Sequence, residues 1–264
     1  MKTALIITTY NSPKTLALCL KSALAQTVLP DEIIVADDGS GNETKELINK
    51  FIQENKDQVI IHSYQEDRGF RAAASRNKAA FMSSCEYLIY VDGDMILHEH
   101  FVKDHIKNAR KGLYLQGSRV LLKEGLTRDI LKKMTFQKPS VLSRNIKNNL
   151  NAVYSPFLGR IAAFFSKNIQ KGTRSCNFSF FKKDMENVNG FNEDFVTWGR
   201  EDSEFITRMY HTGIKRKNLK FSAIQYHLYH KEGVSNLIND VLFFEIIKEK
   251  RTWCPNGIDK YRSE

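Results

Sequence analysis

The residues of this 264-residue chain best suited to chemistry are acids that close apolar runs. Residues 87–94 read Tyr-Leu-Ile-Tyr-Val-Asp-Gly-Asp: a buried strand that stops on Asp92 and Asp94 with Gly93 between them. Ending a buried strand in acid is costly unless the acid has a partner. A hard divalent cation is one such partner, since it takes oxygen ligands and bridges carboxylates to phosphates. Gly93 suits a sharp turn and the close approach of a ligand. An ordinary Asp-Gly turn between strands is the plain alternative. Other polar groups close runs in the same way: Thr9, Tyr10 and Asn11 after residues 3–8, and Asp37 and Asp38 after residues 32–36. Further along, Glu201 and Asp202 follow Trp198-Gly199-Arg200 in the first turn of a helix. The helix dipole stabilises acids there, and a carboxylate that must stay ionised as a base gains from the same field. His227 and His230 flank Tyr229 after a strand at 221–226 and are candidate metal ligands. Arg71 and Arg76 follow a glycine-containing loop and could pair with phosphate through the guanidinium fork.

The elements that must carry these groups alternate. Strands are expected at 3–8, 32–36, 59–64 and 87–91, with helices from Pro13, over about 44–54 and over 72–82. That alternation predicts an α/β fold with a mostly parallel sheet and helices on both faces. In such sheets ligands sit beyond the carboxyl ends of the strands, which is where the acids cluster. The second half is less regular: a helix at 98–109, a strand at 113–122, a strand at 175–181, a helix after residue 201 capped by Gly213, and the strand at 221–226.

Hydrophobic content of 42% with 27% charged residues fits a globular protein, and no apolar run reaches the ~20 residues that span a bilayer. Cys19, Cys85, Cys176 and Cys254 are scattered without a Cys-x-x-Cys pair, which favours free thiols and a cytoplasmic setting. The net charge of +10 calls for an anionic partner. Its excess lies in residues 132–183, rich in Lys and Arg, where an aromatic stretch at 154–165 could lie on an anionic membrane, cover an acceptor cleft or pack on the core.

Taken together, Ile7-Thr8-Thr9-Tyr10-Asn11, Ala36-Asp37-Asp38-Gly39-Ser40, Arg71-Ala72-Ala73-Ala74-Ser75-Arg76-Asn77, Asp92-Gly93-Asp94, Gly190-Phe191-Asn192-Glu193-Asp194-Phe195, Trp198-Gly199-Arg200-Glu201-Asp202 and residues 227–230 resemble the family 2 glycosyltransferases of GT-A fold. The resemblance is to the branch whose C-terminal half is shared with bacterial chondroitin polymerase, the β-1,4-galactosyltransferases and the polypeptide N-acetylgalactosaminyltransferases. It covers about residues 3–231 and implies a GT-A glycosyltransferase domain over 1–231, with a nucleotide-binding half at 1–95, an acceptor half at 96–231 holding a basic insert at about 123–173, and a helical extension at 232–264. It implies a metal-dependent, inverting transfer from a UDP-sugar to a glycan or lipid-linked acceptor of a bacterial surface polysaccharide such as lipopolysaccharide. In that scheme Thr9, Tyr10 and Asn11 border the uracil, Asp38 or Asp37 accepts from the base, Asp92 and Gly93 meet the ribose, and Arg71 or Arg76 pairs with the diphosphate. Asp94 is the metal ligand, joined by His230 or His227, and an Asp-plus-imidazole set favours Mn²⁺ over Mg²⁺. Asp202 is the general base, Glu201 binds sugar hydroxyls, and Trp198 with Gly199 forms an apolar wall for a sugar. Asn192 departs from the Asp usual in the family's Gly-Phe-Asp-Glu run. The setting implied is the cytoplasm, with peripheral contact at the inner membrane.

Two other readings are weaker. A sugar-phosphate nucleotidyltransferase needs a glycine-rich phosphate loop after the first strand, and residues 8–13 contain no glycine. A non-enzymatic binder of polyanions would gain nothing from two carboxylate clusters, so nucleic acid is not an expected partner.

Overall fold

The computed structural model describes residues 1–164, 172–231 and 237–262. Lys167, Lys171 and Phe165 of the basic, aromatic stretch lie outside them. The first half alternates as expected: β1 (Thr3–Thr9), α1 (Pro13–Leu24), β2 (Glu32–Asp37), α2 (Asn42–Glu54), β3 (Val59–Tyr64), α3 (Ala72–Met82) and β4 (Tyr87–Asp92). β1 pairs in parallel with both β2 and β4, and β2 with β3. The chain therefore runs outward from β1 to β3 and then returns to β1's other side. That reversal opens a crevice beyond the carboxyl ends of β1 and β4, the topological switch point where open α/β sheets bind ligands.

The remaining elements are β5 (Met95–Leu97), α4 (Phe101–Asn108), β6 (Leu113–Gly117), β7 (Val120–Leu122), α5 (Glu124–Lys133), β8 (Ile146–Lys147), α6 (Pro156–Phe164), β9 (Asn177–Phe181), α7 (Lys182–Asn187), α8 (Glu201–His211), β10 (Lys215–Leu219), β11 (Gln225–His227) and α9 (Leu237–Glu249). The main sheet has the order β10-β6-β9-β4-β1-β2-β3, with β9 antiparallel to β4 and β6. A smaller sheet, β5-β11-β7-β8, stands beside it. One face of the main sheet packs Leu5, Ile7 and Ile33 against Leu16, Leu20 and Phe101. The other packs Ile6, Ile34 and Tyr90 against Ala73, Phe191 and Phe205. Burial on both faces explains why these strands read as unbroken apolar runs.

Three expectations for the second half need correction. The strand expected at 113–122 is two strands in different sheets. Gly117 is pressed against Asn177, where a Cβ would lie 2.2 Å from Oδ1, and Asn177 Nδ2 donates to the carbonyls of Ser118 (2.8 Å) and Ala223 (2.9 Å). A side chain thus takes the place of the strand ladder at the bend. The strand expected at 221–226 shrinks to β11, because Phe221 and Ala223 adopt positive φ (59° and 46°) and break the extended chain. β10 was not expected at all: Lys-Arg-Lys-Asn-Leu lacks apolar alternation, as suits a charged edge strand that resists further pairing.

Gly213 caps α8 as expected. Its φ is +91°, its N–H donates to Tyr210 O and that of Ile214 to Met209 O, the paired bonds of a Schellman ending. Residues 237–262 return to the main body, where Ile258 is buried in the core and Lys260 pairs with Glu193 at 2.5 Å.

Candidate active site

The crevice at the switch point widens into a cleft of about 860 Å³. Its floor is the turn after β4. Gly93 N–H donates to Thr8 O at 2.7 Å, and a Cβ at this position would lie 3.0 Å from that oxygen, a tight contact that favours glycine. The turn sends its two acids in different directions. Asp92 Oδ1 accepts from Thr8 Oγ1 at 2.9 Å, while Asp94 turns toward the small sheet. There the register that sets Met95 opposite His227, and the bond from Leu228 N–H to Asp94 O (3.0 Å), bring the C-terminal histidines to it.

Asp94 Oδ2 lies 3.0 Å from His227 Nε2 and 3.1 Å from His230 Nε2. Ligand atoms of the three residues fall within 4.8 Å of one another. Burial by itself would raise the Asp94 pKa, but the hydrogen bonds of both imidazoles outweigh it and bring it to about 2. The Asp94 bond is in turn the chief cause that lifts His230 to about 9, against a smaller pull from burial. Asp94 Oδ1 is buried without a hydrogen-bond partner. A lone carboxylate oxygen with two imidazoles fits a divalent cation, and His230 Nδ1 already bonds to Lys231 O (2.8 Å), leaving Nε2 to the metal. The fold presents both His227 and His230 to Asp94.

The opposite wall is the start of α8. Gly199 (φ 104°) and Arg200 (φ 75°) turn the chain so that Glu201 and Asp202 enter the cleft. Asp202 Oδ2 accepts from Ser175 N–H at 3.0 Å and Oδ1 from Ser203 N–H at 2.6 Å. Glu201 is buried and accepts from Arg76 Nη1 at 3.1 Å. Burial first, then the neighbouring Asp202, push its carboxyl up, and Arg76 holds it back in part. α9 holds the loop before α8: Asn239 Nδ2 donates to the carbonyls of Thr197 (2.9 Å) and Gly199 (2.7 Å), and Asp240 pairs with Arg200 at 2.5 Å. Trp198 projects into the cleft, about half exposed.

Of the residues expected to bind nucleotide, Thr9, Tyr10, Asp38, Asp92 and Gly93 line the cleft. Thr9 Oγ1 is buried and unpartnered. Tyr10 is half exposed, with its hydroxyl on Asp67 at 2.9 Å. Asp38 accepts from Gln65 Nε2 and from Arg71 N–H, and burial pushes its carboxyl up despite those bonds.

Four residues depart from expectation. Asp37 is fully buried behind the cleft, held by Ser40 N–H (2.8 Å) and His62 Nε2 (2.8 Å), so it shapes the turn, while Asp38 lines the cleft. Asn11 sits at φ 45° with Oδ1 on Gly41 N–H, locking two loops together. Arg71 lends its backbone N–H to Asp38, while its side chain lines a separate recess with Lys78 and Lys260. Arg76 reaches the cleft with Nη1 on Glu201 and Nη2 on Ser175 Oγ (3.0 Å), while its buried Nε has no hydrogen-bond partner.

Two arginines absent from the sequence reading line the same cleft, Arg119 and Arg174. Arg119 Nε is buried with no hydrogen-bond partner. A signal existed for Arg119, which follows the Gly117-Ser118 end of an apolar run like the other site residues. Arg174 precedes β9 in a polar stretch and carries no such mark.

Comparison with known proteins bears on the family and the fold. Glycosyl transferase family 2 matches residues 4–188, and the family described as the N-terminal domain of galactosyltransferase matches residues 155–231. The chain is 26% identical over 258 residues to a chondroitin synthase of Escherichia coli, covering 85% of this chain and 34% of that protein. It is 28% identical over 228 residues to a hyaluronan synthase of Pasteurella multocida (80% and 23%). A validoxylamine A glucosyltransferase of Streptomyces hygroscopicus subsp. limoneus is 24% identical over 237 residues (80% and 48%). The chain spans less than half the length of each of these relatives. In fold it is similar to S. aureus TarS 1-349 in complex with UDP (TM-score 0.64, 17% identity, 95% of this chain and 65% of that one). It is likewise similar to the mannosyltransferase PcManGT of Pyrobaculum calidifontis with GDP-Man and Mn²⁺ (TM-score 0.60, 16% identity, 88% and 58%).

Proposed function

Because this chain belongs to glycosyl transferase family 2, we propose that it transfers a sugar from a UDP-sugar to a hydroxyl of a glycan or lipid-linked acceptor, with inversion, in the synthesis of a bacterial surface polysaccharide. The observation that carries the reading is one cleft with Asp94, His227 and His230 on one wall and Asp202 on the other. The domain assignment proposed is a GT-A unit over 1–231, with the segment from 232 onward extending it.

Asp94, His227 and His230 would hold a divalent cation, Mn²⁺ suiting the imidazoles better than Mg²⁺. Bound there, it would supply Lewis-acid stabilisation of the departing diphosphate. The chain's own residues do the rest. Tyr10 borders the uracil and Asp38 accepts from its N–H. Asp92 takes the ribose hydroxyls, and Arg119 and Arg174 face the diphosphate in place of Arg71. Trp198 and Gly199 offer an apolar wall to a sugar face, and Glu201 accepts from sugar hydroxyls. Asp202 removes the proton of the acceptor hydroxyl as that oxygen attacks the anomeric carbon and the bond to UDP breaks. One base without a nucleophile means a single displacement, hence inversion.

The chain's basic balance and the exposed Phe157, Leu158 and Ile161 of α6 support work at the cytoplasmic surface of the inner membrane. No helix among the described residues is long and apolar enough to cross a membrane.

The test is thermal stability with UDP, with and without Mn²⁺, in the wild type and Asp94→Ala. A ligand at 100 times its dissociation constant stabilises by about 2.7 kcal/mol. The wild type should gain a Mn²⁺-dependent rise with UDP, and Asp94→Ala should lose it. An equal rise in both proteins would refute the metal assignment.

A further inference from the structure

We infer that Arg76 is a positioning residue: it governs transfer through Glu201 and Asp202, and not by holding the nucleotide. This rests on the glycosyl-transfer reading above. Arg76 is 5% exposed, sits on α3 and lines the cleft. Its Nη1 donates to Glu201 Oε1 at 3.1 Å and its Nη2 to Ser175 Oγ at 3.0 Å, with Asp92 Oδ1 3.7 Å from Nη2. Ser175 is a hinge between two partners, because its hydroxyl accepts from Arg76 while its N–H donates to Asp202 Oδ2. One fork therefore fixes both acids of the α8 wall, Glu201 directly and Asp202 through a single residue. The guanidinium also lies 5.5 Å from the Phe191 ring centroid, and Phe191 is pinned by Asn77, the next residue of α3, which bonds both its N–H and its carbonyl at 2.8 Å. The fork is thus anchored from below as well as bonded in front.

Charge gives the arrangement its consequence. The charged groups acting on Arg76 are Glu201, Asp92 and Asp202, and those acting on Glu201 are Asp202 and Arg76. Glu201 is a buried acid beside a second acid, and both conditions favour protonation. The buried cation opposes them. Without it, burial and Asp202 would push the Glu201 carboxyl further toward its protonated form, which donates where an acceptor is needed. Asp202 would lose the anchored Ser175 that fixes one of its oxygens. A lysine would keep the charge, but a single ammonium could not serve Glu201 and Ser175 as a planar fork does.

The experiment compares wild type, Arg76→Met and Arg76→Lys by UDP affinity with Mn²⁺, by kcat against pH, and by ¹³C NMR titration of the Glu201 carboxylate. In Arg76→Met the UDP dissociation constant should stay within about threefold, while kcat falls about 100-fold, the scale of a misplaced base. The acid limb of kcat and the Glu201 titration should both move up by about one pH unit or more. Arg76→Lys should recover most of the titration shift and only part of kcat. UDP affinity falling in parallel with kcat would put Arg76 in nucleotide binding, directly or through Asp92, and overturn the inference. So would a Glu201 titration unchanged in Arg76→Met, or in Arg76→Gln should the methionine variant not fold. A wild type that binds UDP but transfers no sugar would sink the glycosyl-transfer reading, whereas the Glu201 titration would still decide what Arg76 does.

Discussion

Replacing Asp202 by Asn tests the proposed base with minimal change of shape, and the geometry predicts two separable losses. Asp202 accepts a backbone N–H on each oxygen, Ser175 on Oδ2 (3.0 Å) and Ser203 on Oδ1 (2.6 Å). An asparagine has one carbonyl oxygen, so its NH₂ must face one of those N–H groups and leave a donor unmet, at a cost of about 1–3 kcal/mol. Losing a negative charge in the first turn of α8 removes a further ~0.3–1 kcal/mol. For a chain of this size a kcal/mol is worth roughly 2–4 °C, so the melting temperature should fall by several degrees without collapse. Loss of a general base lowers the rate by about 10²–10⁴-fold, or about 3–5 kcal/mol on the barrier. Asp202 projects from α8, whereas the proposed uracil and ribose contacts sit at the ends of β1, β2 and β4 and only Arg174, next to Ser175, comes near it, so UDP affinity with Mn²⁺ should stay within about threefold. The assay is UDP release from a panel of UDP-sugars with candidate acceptors, alongside calorimetric titration of UDP and a melting curve. Asp202→Asn turning over within threefold of wild type would refute the base assignment. A fall in UDP affinity that tracks the loss of turnover would show that the two walls of the cleft are not separable.

Two further outcomes follow from the scaffold. Burial works to raise the Asp37 pKa, but hydrogen bonds from His62 and Ser40 bring its carboxyl below the usual range. A depressed acid supplies stability that is complete above its unfolded value near 3.9 and is lost as pH falls through the folded one. Urea midpoints of the wild type should therefore drop below about pH 4, while Asp37→Asn should start lower at pH 7 and lose less on acidification; parallel curves would refute this. Gly117→Ala would set a Cβ 2.2 Å from Asn177 Oδ1, which is also bonded to His105 Nε2 (3.0 Å). It should destabilise by about 1–3 kcal/mol in urea and disturb the bend that carries Arg119, and an unchanged midpoint would show that the bend can yield.

Much of this protein was legible in its chain order because the relevant physics is local. Apolar runs of strand length, a proline after Ser12 and Gly213 at a helix end each act through neighbours a few residues away, and β1 to β4 and the ending of α8 formed as those signals predict. The acids at the strand ends were legible too, since carboxylates closing buried strands stand out wherever the strands lie. What the chain order left open were choices between equivalent side chains: Asp37 or Asp38, His227 or His230, Arg71 or Arg76. Those depend on which way a turn aims each group. Asp37 points back to His62, on the neighbouring strand, and Asp38 faces the cleft. The two histidines meet one carboxylate because the pairing of β5 with β11 brings His227 to Asp94, 133 positions away. Arg76 turns toward Glu201, 125 positions away, which no local pattern encodes. Residue type and spacing determined which chemistry this chain can attempt, while strand register and the sharing of buried hydrogen bonds decided which copy of each group the cleft presents.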